Sequence, residues 1–300
     1  MGTPAFAEKS LRRLYADGHE ITCVITQPDK PRGRGMNTTA GPVKSLALEH
    51  GTPVYQPSTL RDGEIVDRLR GFRPDLIVVV AYGKMLPAEI LGLPPLGCVN
   101  IHGSLLPEYR GAAPVQWAII NGRHETGVTS MYLAEEMDAG DIIYSEKVSI
   151  GDEETAGELL ERLGHTGAEL LGGTVAAISE GKAGRHPQDH SLATNAPPLK
   201  KDNSPINWND PALVIKSKVR GFNPWPVATM ELNGVVYKVF SVDISSGKTG
   251  KAPGSIVSAD ENRLEIACAD GIVIIKEIQA PGGKRLSAAD FLRGRPGWRK

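Results

Sequence analysis

Two folded parts are predicted by this 300-residue sequence: an α/β domain on a doubly wound, parallel-rich (Rossmann-like) sheet, then a smaller all-β domain of OB-like barrel type. Three observations carry that expectation. Strand-like and helix-like apolar patterns alternate from Ala5 to Glu180, as they do where helices cross between parallel strands. Leu76 to Ala81 is an unbroken apolar run, the mark of a strand covered on both faces. Beyond Ile206 the pattern changes to short strands separated by tight turns, which suits a small barrel. The expected boundaries are 1–181 for the first domain, 182–206 for a linker and 207–300 for the second.

Taken in order, Ala5 to Asp17 has helical spacing and stops at Gly18, and Ile21 to Gln27 reads as a buried strand. Residues 28–41 are rich in Pro and Gly and predict a long loop without elements of its own. Pro42 opens a helix through His50, Val54 to Gln56 is a short strand, and Glu64 to Arg70 is another helix. After the strand Leu76 to Ala81 comes an apolar strand over Cys98 to His102, which Gly103 ends. Pro114 stands where a helix begins, with Val115 to Asn121 behind it and Gly122 closing it. Thr126 to Leu133 and Ile142 to Ile150 are strands on either side of a turn at Asp138. Thr155 to Glu180 carries Leu159, Leu163, Leu170, Val175 and Ile178 at helical spacing. Residues 182–206 are polar and contain four prolines, hence the linker.

In the second part Leu213 to Arg220 is a short helix, followed by the rigid aromatic turn Phe222 to Pro226. Asn233-Gly234 joins two strand-like runs, a strong signal for a two-residue hairpin. Ser255 to Ser258, Leu264 to Cys268 and Ile272 to Ile278 continue the short strands, and Ser287 caps a last helical turn. At the other end, the chain opens at Met1-Gly-Thr-Pro, where a doubly wound domain would begin with a strand. The expectation is a longer natural chain, with about five to seven residues rich in Val, Ile or Phe ahead of Met1.

Composition narrows the function classes. The chain is 40% hydrophobic and 23% charged, as soluble globular proteins are, and has no run near the length of a membrane span. Cys23, Cys98 and Cys268 each lie in an apolar run, which predicts reduced, buried thiols in a cytoplasmic protein. His186 and His190 flank Asp189 in the polar linker and read as surface, so no metal is expected. Net charge is −1 but unevenly divided: residues 207–300 hold 14 Lys and Arg against 9 Asp and Glu, a net of +5. A basic small domain suits a polyanionic partner.

The stretch from Gly97 to Pro114 concentrates the chemistry. Asn100 and His102 stand at i and i+2 on one strand and so leave the same face. Together they present a carboxamide and an imidazole at a strand's carboxyl end, where open α/β sheets place their sites. Asn-x-His, the Ser104-Leu105-Leu106-Pro107 loop and an Asp-x-Gly turn at Asp138 together resemble the signature of the formyltetrahydrofolate-dependent formyltransferases. That resemblance runs along nearly the whole chain. It implies 10-formyltetrahydrofolate as co-substrate, methionyl-tRNA as acceptor and a C-terminal barrel; a monomer is expected. It also implies catalytic roles for Asn100, His102 and Asp138, and a folate pocket walled by Ser104, Leu105, Leu106, Pro107, Tyr82 and Gly83.

Acyl transfer through a tetrahedral intermediate needs a donor at the oxyanion, which Asn100 has, and proton movement, suited to His102 and Asp138. The basic stretch Lys30, Arg32, Arg34 and Lys44 matches the family's tRNA-gripping loop, although Met36-Asn-Thr-Thr replaces further lysines. Lys276, Lys284, Arg285, Arg293, Arg295, Arg299 and Lys300 form a second candidate phosphate-binding surface. Sugar-nucleotide formyltransferases share the same triad and are the alternative; the hydrolases of the family would not need a basic barrel. A nicotinamide dehydrogenase would need Gly-x-Gly-x-x-Gly, which Gly2-Thr3-Pro4 does not supply. A non-enzymatic tRNA-binding protein would leave Asn100 and His102 without a task.

Overall fold

A computed structural model of the chain describes residues 1–29, 31–32, 37–61, 63–247, 249–260 and 263–294. The chain forms two compact units: Met1–Pro114 with Thr126–Ser149 and Leu160–Pro197, and Val115–Glu125 with Ile150–Leu159 and Pro198–Lys300. Along the sequence the elements are α1 (Ala5–Ala16), β1 (Val24–Ile25), β2 (Pro31–Arg32), β3 (Asn37–Thr38), α2 (Pro42–Glu49), β4 (Val54–Tyr55), α3 (Gly63–Phe72), β5 (Ile77–Val79) and α4 (Ala88–Leu91). They continue as β6 (Cys98–His102), β7 (Arg110–Gly111), α5 (Pro114–Ile120), β8 (Glu125–Tyr132), β9 (Ile142–Ser149), α6 (Ala156–Ser179) and β10 (Asn195–Ala196). The last are α7 (Ala212–Gly221), β11 (Ala228–Leu232), β12 (Val235–Ser246), β13 (Ile256–Ala259), β14 (Leu264–Ala267), β15 (Gly271–Gln279), β16 (Arg285–Ser287) and α8 (Ala288–Arg293).

In the first unit the strand order is β5-β6-β8-β9, with β6 parallel to β5 and antiparallel to β8. A separate parallel pair, β1 with β4, lies beyond residues 1–2. Gly2 donates to the Ile25 carbonyl at 3.0 Å, and Val80 donates to the Met1 carbonyl at 2.8 Å. Met1 and Gly2 therefore connect the two groups of strands, and a cavity of about 130 Å³ opens beside them, lined by Ile21, Cys23, Leu69 and Phe72.

Helices cover both faces because β6 alternates. Ile101 packs in a core with Leu11 and Leu14 of α1, Val43 and Leu46 of α2, and Leu171 and Val175 of α6. Cys98, on the opposite face, packs with Ile65 and Leu69 of α3 and Ile90 of α4. Asn100 and His102 leave β6 on the Cys98 face, farther along the strand.

Several expectations are corrected in detail. The strand expected over Ile21 to Gln27 is paired only at Val24 and Ile25. Its partner β4 lies between Pro53 and Pro57, which lack the N–H a ladder requires. The loop 28–41 is not without structure, since Pro31–Arg32 pairs antiparallel with Asn37–Thr38. Helix α4 and strand β16 fall in stretches too short to show a period. The antiparallel β8 makes the sheet mixed.

In the second unit the sheet order is β11-β12-β15-β14-β13, with β16 also on β15, and neighbouring strands run antiparallel. Among the described residues no pairing joins β11 to β13. The β11–β12 hairpin turns on Asn233 and Gly234, both left-handed at φ 52° and 75°, as a type I′ turn demands. Ile215 and Val219 of α7, Phe291 of α8 and Val239, Val273, Ile275 and Ile278 of the sheet are all buried, and both helices contact β15. Each such side chain contributes about 1.5–3 kcal/mol on burial.

Candidate active site

Strand β6 brings Asn100 opposite Met131 and His102 opposite Thr129, in the interior of the sheet. His102 is buried. Its Nε2 lies 2.9 Å from the Tyr109 carbonyl; a carbonyl only accepts, so Nε2 carries the proton. The other ring nitrogen, Nδ1, faces the Asp138 carboxylate, with 3.7 Å between Nδ1 and Oδ2.

Asp138 sits in the turn after β8 at φ 51°, a left-handed conformation uncommon for a residue with a side chain. Two groups restrain it. The Gly111 amide donates to Oδ2 at 2.8 Å, and Gln188 donates from Nε2 to the main-chain carbonyls of Asp138 and Gly140 at 2.9 and 2.8 Å. Gly140 is required sterically: a Cβ there would stand 1.9 Å from the Tyr132 carbonyl oxygen.

The Ser104–Pro107 loop is fixed from three sides. Ser104 Oγ donates to the Glu108 carbonyl at 2.6 Å. Thr129 Oγ1 donates to the Ser104 carbonyl at 2.7 Å and accepts from the Leu106 amide at 3.2 Å. The stretch beyond Pro107 pairs with β10: Thr194 Oγ1 accepts from the Tyr109 amide at 2.8 Å, and Arg110 donates to the Thr194 carbonyl at 2.8 Å. Leu106 is buried, while Leu105 and Pro107 are half-buried. The loop thus presents apolar side chains and main-chain groups on a rigid support.

Tyr82 and Gly83 follow β5. Tyr82 is buried and its carbonyl accepts from Gln27 Nε2 at 2.9 Å, but its hydroxyl has no partner. Burial pushes that phenol up to about 12. The side-chain oxygen of Asn100 is likewise buried without a partner. An unpartnered buried polar atom costs about 1–3 kcal/mol, and both fall on residues expected to meet ligand. Rotating the Asn100 carboxamide by half a turn exchanges its acceptor and donor ends, so the same position can offer an N–H.

The residues expected to meet tRNA are placed unevenly. Lys30 and Arg34 lie outside the described residues, and Arg32 is in β2. Lys44, on α2, is turned inward: its ammonium donates to the Asp29 carboxylate and, at 2.7 Å, to Gln56 Oε1. Lys276 and Arg285 are paired with Asp243 and Glu277, and Arg293 with Asp290. Lys284 is exposed, and 295–300 lie outside the described residues. Among the described residues, no group of three or more His, Cys, Asp or Glu side chains is placed to hold a metal.

Sequence reasoning missed Tyr109, Arg110, Gly111, Gln188 and Thr194, which hold the loop and the Asp138 turn. The Arg110-Gly111 pair stood in the singled-out stretch, yet nothing in it announced a contact with a turn 27 residues on. Gln188 and Thr194 lay in the stretch whose composition suggested only a linker.

The family model described as Formyl transferase matches residues 1–175, and that described as Formyl transferase, C-terminal domain, matches 198–296. The chain is 47% identical to the methionyl-tRNA formyltransferase of Alkaliphilus oremlandii over 98% of its own length and 95% of that protein. It is also 47% identical to the methionyl-tRNA formyltransferase of Moorella thermoacetica, over 99% and 95%. Among solved structures, the N-formyltransferase from Helicobacter canadensis, in complex with folinic acid and dTDP-3-aminofucose, superposes with a TM-score of 0.68 at 17% identity, covering 95% of this chain and 97% of that one. A sugar 3N-formyltransferase, WlaRD, crystallised with dTDP and 5-N-formyl-THF, gives 0.67 at 19%, over 95% and 96%. These two likenesses concern the fold.

Proposed function

The chain belongs to the formyl transferase family, and on that premise we propose that it moves the formyl group of 10-formyltetrahydrofolate to the free amino group of methionyl-tRNA, for translation initiation. The observation that carries the chemistry is the pairing of His102 with Asp138 at 3.7 Å, with Asn100 two residues before His102 on β6 and buried polar atoms of Asn100 and Tyr82 left without partners. The acceptor follows from relatives at 47% identity over nearly the full chain, each a methionyl-tRNA formyltransferase.

Attack of the amine on the formyl carbon makes a tetrahedral intermediate with negative charge on oxygen. The Asn100 carboxamide, donating from its NH₂, stabilises that charge. The nitrogen that has formed the new bond must lose a proton, and Nδ1 of His102 accepts it. Tyr109 already holds the Nε2–H, so the imidazolium has acceptors at both ends, the Tyr109 carbonyl and the Asp138 carboxylate. Collapse of the intermediate breaks the bond to the folate N10, which takes the proton from Nδ1. Formyl-methionyl-tRNA and tetrahydrofolate leave. A separation of 3.7 Å between Nδ1 and Oδ2 is longer than a hydrogen bond, and such contacts close when substrate fills the site.

Ser104, Leu105, Leu106, Pro107, Tyr82 and Gly83 are assigned to the folate pocket, with Leu105 and Leu106 supplying apolar contact. In this reading residues 1–181 do the chemistry and 207–300 form an OB-like barrel that binds tRNA, supported by its net charge of +5 and its antiparallel strand order; residues 182–206 connect them. Lys30, Arg32 and Arg34 take tRNA phosphates. The enzyme is proposed to act as a cytoplasmic monomer without a metal.

The test supplies purified protein with formyl-labelled 10-formyltetrahydrofolate and, in separate reactions, methionyl-tRNA, a dTDP-linked amino sugar, or no acceptor. Label is expected on methionyl-tRNA alone. Label on the sugar would move the protein to the sugar enzymes, and release of free formate without acceptor would make it a hydrolase.

A further inference from the structure

The geometry points to Gln188 as a positioning residue for Asp138, acting through the main chain of the Asp138 turn and braced by Arg110; the inference rests on the formyl-transfer reading above. Gln188 is 6% exposed and Arg110 7%. A buried carboxamide and a buried guanidinium are costly unless satisfied, and here each satisfies the other. Oε1 of Gln188 accepts from Arg110 Nε at 3.1 Å and Nη2 at 2.7 Å. Both protons on Nε2 point at the turn, to the carbonyls of Asp138 at 2.9 Å and Gly140 at 2.8 Å. The amide's capacity is therefore spent on these two partners.

These contacts close a ring. Gln188 holds the backbone of Asp138, Asp138 Oδ2 accepts from the Gly111 amide at 2.8 Å, and Gly111 is the neighbour of Arg110, which returns to Gln188. The remaining guanidinium nitrogen, Nη1, lies 3.4 Å from His190 Nδ1 and 3.6 Å from Glu136. The left-handed φ of 51° at Asp138 persists only where the surroundings enforce it. Gln188 clamps the carbonyls on either side of Ala139 and so sets the direction in which the carboxylate leaves the turn. Its distance from His102 then follows. Misplacement by about 1 Å of a group so used costs as much as 10²-fold in rate.

Gln188→Glu tests this. It keeps the oxygen that Arg110 grips and removes the two donors to the turn. The expected result is a kcat lower by about 10- to 100-fold, the range for lost supporting hydrogen bonds. KM for both substrates should hold, while the melting temperature falls, since two buried carbonyls lose their donors. Because the effect passes through Asp138, the double variant Gln188→Glu with Asp138→Asn should be no slower than Asp138→Asn alone. An unchanged kcat in Gln188→Glu, or losses that multiply in the double variant, would overturn the assignment. A second readout needs no turnover: amide exchange at Gly111, followed by NMR, should accelerate in Gln188→Glu as Asp138 Oδ2 wanders. If the unsubstituted protein formylates nothing, the functional reading fails, and unchanged Gly111 protection is then what overturns this inference. Should Gln188→Glu not fold, Gln188→Met preserves the volume and carries the same readouts with the same meaning.

Discussion

The Nε2–H of His102 donates to the main-chain carbonyl of Tyr109 across 2.9 Å. One backbone atom thereby selects the tautomer and leaves Nδ1 as the nitrogen that exchanges a proton beside Asp138. Tyr109 is itself held at φ 60°, with its amide on Thr194. His102→Gln is expected to keep a donor near the Tyr109 carbonyl and fold normally, while turnover falls about 10²-fold or more, the usual share of a general base. His102→Ala should lose the same turnover and also about 1–3 kcal/mol of stability, from a buried carbonyl left unpaired. Turnover near normal in the Gln variant would take the proton away from Nδ1.

Asn100→Ala and Asp138→Asn are each expected to lower turnover by about 10² or more, with folding intact. Asn100→Ala removes a buried oxygen that has no partner, so urea denaturation should show little loss of stability. Either purified variant turning over at nearly the normal rate would drop that residue from the mechanism.

Tyr82 and Cys98 predict the alkaline behaviour. Burial pushes the Tyr82 phenol from 10.0, and the Cys98 thiol from 9.0, up to about 12 each. Both are harder to ionise folded than unfolded, so they favour the folded state fully below their ordinary values, and that contribution is lost as pH rises toward 12. A Tyr82→Phe, Cys98→Ala variant should therefore lose less stability than the parent between pH of about 9 and 11. Parallel curves would contradict the burial argument. Tyr82→Phe alone should fold at least as well as the parent, having shed an unpartnered hydroxyl, while KM for the folate rises.

Lys44 and Arg34 should behave differently although both were expected to grip tRNA. Arg34→Ala should weaken tRNA binding and flatten its salt dependence, by about one unit of slope for a lost phosphate contact. Lys44 is engaged with Asp29 and Gln56, so Lys44→Ala should leave the slope alone. A slope reduced equally by both would show that Lys44 leaves its internal partners to meet the tRNA.

The same pair has an acid signature. Hydrogen bonds from Lys44, then Gln56, hold the Asp29 carboxyl below its ordinary 3.8. A depressed carboxyl stabilises the fold above its unfolded value and loses that effect as pH falls below it. The stability difference between the parent and Asp29→Asn should be constant near neutrality and shrink below a pH of about 4. A difference that persists undiminished into acid would mean the ion pair is not its source.

The alternation of strand and helix, the hairpin at Asn233-Gly234, and the placing of Asn100 and His102 on one face of β6 are legible in the order of residues alone. Each depends on a period or a turn residue, and periods are local properties of a chain. Asp138 shows the limit. It stands 36 residues beyond His102, and no spacing rule pairs them; only a family resemblance did. Only folding brings their side chains face to face, sets Arg110 and Gln188 against the turn, and points Lys44 inward. Gln188 and Thr194 belong to a stretch whose polar, proline-rich composition suggests a linker. Composition records the average affinity of a segment for water. A single buried amide, satisfied by four hydrogen bonds to groups 48 to 78 residues away, is invisible to that average and exists only once the chain has folded.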